Sequence, residues 1–206
     1  LSKLQRLIQN CTDSFERYEY SKSKAEVEQF FWHVFCDQYL EIIKDRLYNG
    51  SIRGFDARQS AQEGLYEGLC TILKLIAPVM PHITEEIYQL YFAGKEKQNS
   101  IEHQKSIHLS SWPKYDENLI NEHIELVGDI GVDIIGTVRK YKSEQHVSLK
   151  EQLKELVLVS TEPQFKEMIQ PLEDDLRAVL NVQTILFTGQ TTMESEKFSV
   201  KIGIKR

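Results

Sequence analysis

Apolar residues recur at three- and four-residue steps through most of the first 147 positions, and the period changes only beyond them. Leu1, Leu4, Leu7, Ile8, Cys11 and Phe15 keep helical spacing with no capping residue in front, so the chain is expected to begin inside a helix. Polar residues from Tyr18 to Lys24 break the pattern, and Ser23 is placed to cap a second helix ending near Asn49 and Gly50. That helix carries the densest aromatic run, with Phe30, Phe31, Trp32, Phe35 and Tyr39 among Val27, Val34 and Ile43. These positions cover well over one face and leave Asp37, Glu41 and Asp45 as a narrow polar seam. A central, buried rod of a bundle is the expectation, with Trp32 in its core.

Asp56 is placed to cap a third helix that ends at Pro78. Its stripe is Leu65, Leu69, Ile72 and Ile76, and Ala61, Gly64 and Gly68 form a small-residue strip where another helix can approach closely. Pro81 suits the first turn of a fourth helix, whose apolar face is Ile83, Ile87, Leu90 and Tyr91 and whose end is Gly94. Residues 95–105 read as a polar loop, and residues 107–113 as a short extended segment stopped by Pro113. A fifth helix with the stripe Ile120, Ile124, Val127, Gly131, Ile134, Val138 and Tyr141 completes an antiparallel bundle. Beyond Val147, Leu156 to Ser160 reads as a buried strand, and Thr161 with Gln164 has the spacing of a capping box for a helix interrupted at Pro171. Residues 182–188 and 198–204 read as two further strands, the last alternating as Phe198, Val200, Ile202 and Ile204. The predicted fold is mainly α: an antiparallel helical bundle over residues 1–147 and a small C-terminal α+β unit over residues 148–206.

The length of 206 residues and a hydrophobic share of 41% allow one large domain or a domain with an appendage. A formal net charge of −6 argues against coating nucleic acid through bulk positive charge, while a local basic face still suits phosphates. Cys11, Cys36 and Cys70 are widely separated and form no CxxC pair, so all three are expected as packed thiols. No apolar run is long enough to cross a bilayer and the first residues carry no signal-peptide pattern, which makes a cytoplasmic location without membrane attachment the expectation.

Catalytic machinery is hard to find. His82 precedes Glu85 and Glu86 but has no second histidine four residues on, so the zincin spacing is lacking and hydrogen bonding at a helix start is the better reading. His103, His108 and His123 stand without a cysteine or acidic cluster in ligand spacing, so no metal is expected. GxSxG, GxGxxG and GxxxxGK[ST] are all absent from the sequence. No catalytic residue is therefore assigned, and no cofactor is expected in this chain. Binding of single-stranded RNA fares better, because it needs cations for phosphates and aromatic planes for bases. The candidates are Lys22 and Lys24 before the second helix, Lys44, Arg46 and Arg53 near its other end, and Arg139, Lys140 and Lys142 in the last turns of the long helix. Tyr20, Tyr48 and Phe55 lie near these groups at element ends.

Four stretches in order carry a resemblance: Phe-Phe-Trp-x-x-Phe-Cys-Asp-x-Tyr-Leu-Glu from Phe30 to Glu41, Leu73 to Tyr88 with its Ala77-Pro78-Val79-Met80-Pro81-His82-Ile83-Thr84-Glu85-Glu86 centre, Ser106 to Pro113, and Val138 to Glu144. Together they resemble the anticodon-binding domain of class I aminoacyl-tRNA synthetases, most closely the valyl enzymes of archaeal type. The second stretch is common to the valyl, leucyl, isoleucyl and methionyl group, whereas the first and last favour the valyl enzyme. The resemblance implies a helical bundle that holds the anticodon stem-loop of valine tRNA. It further implies that separate catalytic and editing domains of the same polypeptide carry the ATP-dependent chemistry, with HIGH and KMSKS signatures that do not occur in this sequence. Family members also hold part of their recognition in a helix upstream of the segment that Leu1 to Leu4 resembles, so this chain is expected to be a portion of a ligase. The alternatives are the corresponding domain of an isoleucyl or leucyl enzyme, a helical protein-interaction module without an RNA role, and a metal-dependent hydrolase around His82.

Overall fold

The computed structural model describes residues 1–93 and 104–205. In chain order its elements are α1 (Ser2–Glu16), α2 (Tyr20–Gln29), a π-helical segment (Phe30–Leu40), α3 (Glu41–Tyr48), α4 (Gly50–Arg53), α5 (Phe55–Ile76), α6 (Pro81–Tyr91), α7 (Glu122–Glu144), β1 (Leu153–Val159), α8 (Phe165–Ile169), α9 (Glu173–Leu180), β2 (Val182–Leu186), β3 (Met193–Glu194) and β4 (Lys201–Lys205). They form two compact units, one of Leu1–Leu40 and Gly54–Asn121, the other of Glu41–Arg53 and Glu122–Arg206.

The first unit is helical. Leu4, Leu7, Ile8 and Cys11 of α1 meet Val27, Phe35, Ile72, Leu75 and Ile76 in its larger core. The aromatic run is wound as a π-helix, whose wider turn brings residues four apart almost into line. Phe31, Phe35 and Tyr39 consequently stack as a ladder, with ring centroids 6.2 and 5.9 Å apart. Gly68 and Gly64 of α5 leave room for this ladder. A Cβ on Gly68 would lie 2.8 Å from the Phe35 ring, and one on Gly64 would strike the Tyr39 hydroxyl. The small-residue strip is thus a seat for aromatic side chains. The expected central rod, however, is overturned: Phe35 is the one fully buried residue of the π segment, and Trp32 is 59% exposed. Residues four apart share a face in either winding, but the wider π turn lines up Phe31, Phe35 and Tyr39 more closely and turns Trp32 outward.

Gly54, at φ +91°, precedes α5 in a backbone conformation that favours glycine, so Asp56 lies inside the first turn instead of capping it. A smaller core joins Cys70, Leu73 and Ala77 of α5 to Tyr88, Phe92 and Ile107. Pro81 opens α6 as expected, but the helix turns the other way. Thr84, Tyr88 and Phe92 are buried, while Ile83, Leu90 and Tyr91 face solvent. Burying this side is possible because its polar atoms find partners: the Thr84 hydroxyl reaches the Met80 and Pro81 carbonyls at 2.8 and 3.1 Å, and the Tyr88 oxygen accepts from the Gln104 amide at 3.0 Å. Residues 107–109 form a 3₁₀ turn where an extended segment was expected. Glu85 shapes that turn by accepting from the Ser106 hydroxyl and the Ile107 amide, each at 2.9 Å. Gly94 and most of the expected loop at 95–105 lie outside the described residues.

In the second unit a four-stranded sheet has the order β2-β1-β4-β3. β1 and β2 run parallel and are connected through α8 and α9, while β4 is antiparallel to both β1 and β3. Leu156 stands beside Ile185 on one side and Ile204 on the other. The stripe of α7 packs here: Ile130, Ile134, Ile135 and Val138 share a core with Leu158, Leu176, Leu180 and Ile202. The long helix was expected to complete the bundle, yet its apolar stripe is covered within the α+β unit, and the compact units do not divide at residue 147. Pro171 does interrupt the helix, in a 3₁₀ turn between α8 and α9. The capping box does not form; Ser160 accepts from the Glu162 amide at 3.2 Å, and Gln164 makes no side-chain cap bond.

Gly68→Ala is expected to lower stability by about 1–3 kcal/mol in denaturant titration, because the added methyl collides with the Phe35 ring. Glu85 gives a pH signature. Burial opposes its charge, but hydrogen bonds from Gln89, Ser106 and the Ile107 amide outweigh that effect and hold its pKa below the ordinary value. A lowered folded pKa means stability that is complete above the unfolded value and disappears as the pH falls through the folded one. Wild-type protein should therefore lose stability on acidification more steeply than Glu85→Gln, as read from melting curves across the acidic range.

Candidate nucleic-acid interface

The first unit presents Tyr20, Lys22 and Lys24 at the start of α2. Lys22 lies 3.6 Å from Glu19 and Lys24 lies 2.8 Å from Glu28, both within helical reach of their partners. Tyr20 is partly exposed and rests edge-on against Phe15, with centroids 5.1 Å apart. Phe55, at the start of α5, is exposed.

The second unit holds the other six cations. Lys44 and Arg46 come from α3, Arg53 from the short α4 that folds back after it, and Arg139, Lys140 and Lys142 from the end of α7. Arg46 and Arg53 converge on Asp175, a buried carboxylate in the first turn of α9: Arg46 Nε donates at 2.9 Å and Arg53 Nη2 at 2.7 Å, while Arg53 Nη1 reaches Asp45 at 3.0 Å. Two guanidiniums on one buried carboxylate fasten α3 and α4 to α9 through three N–H bonds. Nearby, Lys44, Tyr48, Asn49 and Arg139 line an open cleft of about 310 Å³ together with Glu41 and Asp45. Glu41 pairs with Lys44 and lies 3.9 Å from Arg139, so it separates the two cations across the cleft. Tyr48 at its rim is 83% exposed.

Lys140 points elsewhere and pairs with Glu196 at 2.7 Å; that hydrogen bond and the partner's charge raise its pKa. Lys142 is corrected outright. Its side chain is 1% exposed, and its ammonium donates to the carbonyls of Leu149, Glu151 and Leu180 at 3.1, 2.8 and 2.9 Å. Burial pushes its pKa down. It joins the end of α7 to the segments flanking β1 and β2, and it cannot reach a phosphate. A charged residue in a dense basic run reads as surface, and only the three carbonyls, two of them just beyond the helix and one in α9, reveal its role. Sequence reasoning also missed Asp175, which lies more than a hundred residues from the arginines it binds, and Asn49 as a lining residue of the cleft.

Among the described residues no three histidine, cysteine or acidic side chains come together as a metal site, and His103 lies outside those residues. His82 is exposed on α6. Cys11 and Cys70 are buried and Cys36 is partly so, and burial raises the pKa of all three, which keeps them protonated at neutral pH. No helix of the described residues is long and apolar enough to cross a membrane.

The family model for the anticodon-binding domain of tRNA ligase matches residues 1–158. The chain belongs to that family. Curated relatives agree: it is 34% identical to the valine–tRNA ligase of Thermococcus kodakarensis over 206 residues, covering 100% of the chain and 22% of that protein. It is 36% identical to that of Wolbachia pipientis over 206 residues, covering 99% and 22%, and 37% identical to that of Methanothermobacter thermautotrophicus over 185 residues, covering 90% and 20%. The chain thus spans about a fifth of the length of these relatives. In an anticodon-binding family the cations are read against RNA, and the structure sorts them: Lys142 is internal, Arg46 and Arg53 fasten the fold, and Lys44 and Arg139 share an open cleft with an exposed aromatic ring.

Lys142→Met should cost about 3 kcal/mol in denaturant titration, because it strands three carbonyls that the ammonium now satisfies. A surface lysine would lose almost nothing on the same change.

Proposed function

We propose that this chain is the anticodon-binding domain of a valine–tRNA ligase and that it holds the anticodon stem-loop of valine tRNA. The observation that carries the reading is the cleft beside α3, where Lys44 and Arg139 flank Glu41 and the exposed Tyr48 shares the lining. Phosphates entering it compete with Glu41 for both cations, and the Tyr48 ring offers a face to an unstacked base. The Phe30-to-Glu41 and Val138-to-Glu144 stretches and the curated relatives support the valyl enzyme over the isoleucyl or leucyl one. On this reading the chain works in the cytoplasm, beside catalytic and editing domains of the same polypeptide that use ATP to attach valine. No step of that chemistry is assigned to the residues described here; their part is to bind and orient the RNA.

Binding of a valine tRNA transcript should weaken with salt at a slope of roughly 0.7–0.9 per neutralised phosphate on logarithmic axes. Lys44→Glu or Arg139→Glu should lower both the affinity and that slope, whereas Glu41→Gln should raise the affinity by freeing the two cations. Filter binding across a salt series checks this, and affinity that ignores salt and all three substitutions would refute it.

A further inference from the structure

At the end of α1 the backbone closes in a Schellman arrangement: the Glu19 amide donates to the Ser14 carbonyl at 2.8 Å and the Tyr18 amide to the Phe15 carbonyl at 3.0 Å. The residue at its left-handed position is usually glycine, because a Cβ is strained there. Here it is Tyr18, at φ +61°. Nothing in the packing accounts for a large side chain at this point, since Tyr18 is 80% exposed. Strain kept at an exposed position calls for a reason beyond packing, and the ring contacts around Tyr18 point to one.

The ring is nonetheless held. Tyr18 stands edge-on to Tyr20, centroids 6.2 Å apart at 85°, Tyr20 is edge-on to Phe15 at 5.1 Å, and Phe15 lies 4.8 Å from Trp112. Trp112 is tied in turn by its indole N–H to the Thr12 hydroxyl at 2.9 Å. A chain of four rings thus runs from an anchored indole to a broadly exposed phenol. Arg17, beside it, is steadied by its Nε–H to the Asp13 carbonyl at 3.1 Å, and Lys22 lies one turn on. We infer that Tyr18 is a stacking platform for an unpaired nucleobase of an RNA loop, with Arg17 and Lys22 placed beside the strand's phosphates. The inference rests on the RNA-binding reading proposed above, and it adds Tyr18 and Arg17, which the sequence reading did not single out, beside Lys22. The three carboxylates Asp13, Glu16 and Glu19 outnumber Arg17 and Lys22 at this corner, which favours a base face over a phosphate as the main contact.

The test uses an RNA stem-loop carrying the valine anticodon, with 5-iodouridine in the loop for photo-crosslinking. Tyr18→Gly relieves the left-handed strain while removing the ring, so its melting temperature should rise by about 2–4 °C while its affinity falls about tenfold. Tyr18→Phe should keep the affinity, both variants should keep the wild-type salt slope, and the crosslink should map to Tyr18. If wild type binds but Tyr18→Gly binds equally well and the crosslink maps elsewhere, the platform is overturned and the RNA-binding reading stands. Loss of affinity with a lowered melting temperature would overturn the platform as well, since the variant would then be failing through its fold. If wild type does not bind the stem-loop, both fall.

Discussion

The helical unit depends on one close approach, that of Phe35 and Tyr39 to the backbone of α5 at Gly68 and Gly64. Burying a phenyl ring is worth about 1.5–3 kcal/mol, but only if the facing surface leaves room for it. Two glycines on one side of α5 provide that room. The π winding supplies the matching half, because its wider turn lines up Phe31, Phe35 and Tyr39 more closely than α-helical winding does. The rest of the core, from Leu4 and Cys11 to Ile76, fills around this contact. The same winding exposes Trp32, so an outward tryptophan is the geometric consequence of an inward ladder.

In the second unit the corresponding constraint is electrostatic. Asp175 sits in a place where an unpaired carboxylate would be costly, and two guanidiniums from α3 and α4 make its burial tolerable. Lys142 solves the converse problem, a buried ammonium, with three backbone carbonyls and no carboxylate in contact. Both arrangements withdraw basic residues from the surface and spend them on architecture. Of the eight cations that stand out in the sequence, seven face a carboxylate and the eighth is internal.

Local periodicity carried the elements well: the helices over Leu4 to Cys11, Leu65 to Ile76 and Val127 to Val138, the break at Pro171 and the strands near Leu156, Val182 and Ile202 all lie where spacing put them. Which face of an element turns inward was less legible. Ile83, Leu90 and Tyr91 form the more apolar side of α6, yet Thr84, Tyr88 and Phe92 are buried, because Gln104 and the carbonyls of Met80 and Pro81 satisfy the polar atoms on that side. Such partners are set by tertiary context and leave no periodic trace. The role of α7 failed to show for a similar reason: a helical stripe states that something covers it, and a helix or a sheet serves equally. For the candidate site, residue type located the cations, but exposure and pairing, which decide their use, depend on carboxylates as distant as Asp175.

On the function proposed above, an acidic RNA-binding domain whose basic residues are already paired would bind by exchange. A phosphate that displaces Glu41 from Lys44 gains one ion contact and loses another, and the freed carboxylate then stands near the incoming charge. The net electrostatic gain per phosphate is smaller than for an unpaired lysine, so charge alone recruits RNA weakly and indiscriminate binding is suppressed. What remains to confer affinity is contact that carboxylates do not cancel. Base stacking on an exposed ring is of that kind, since its strength depends on area and on the faces of two π systems. On the proposed reading, a fold that leaves aromatic rings such as Tyr18 and Tyr48 outside while pairing its cations would favour loops with unstacked bases over duplex backbone, the discrimination an anticodon reader requires.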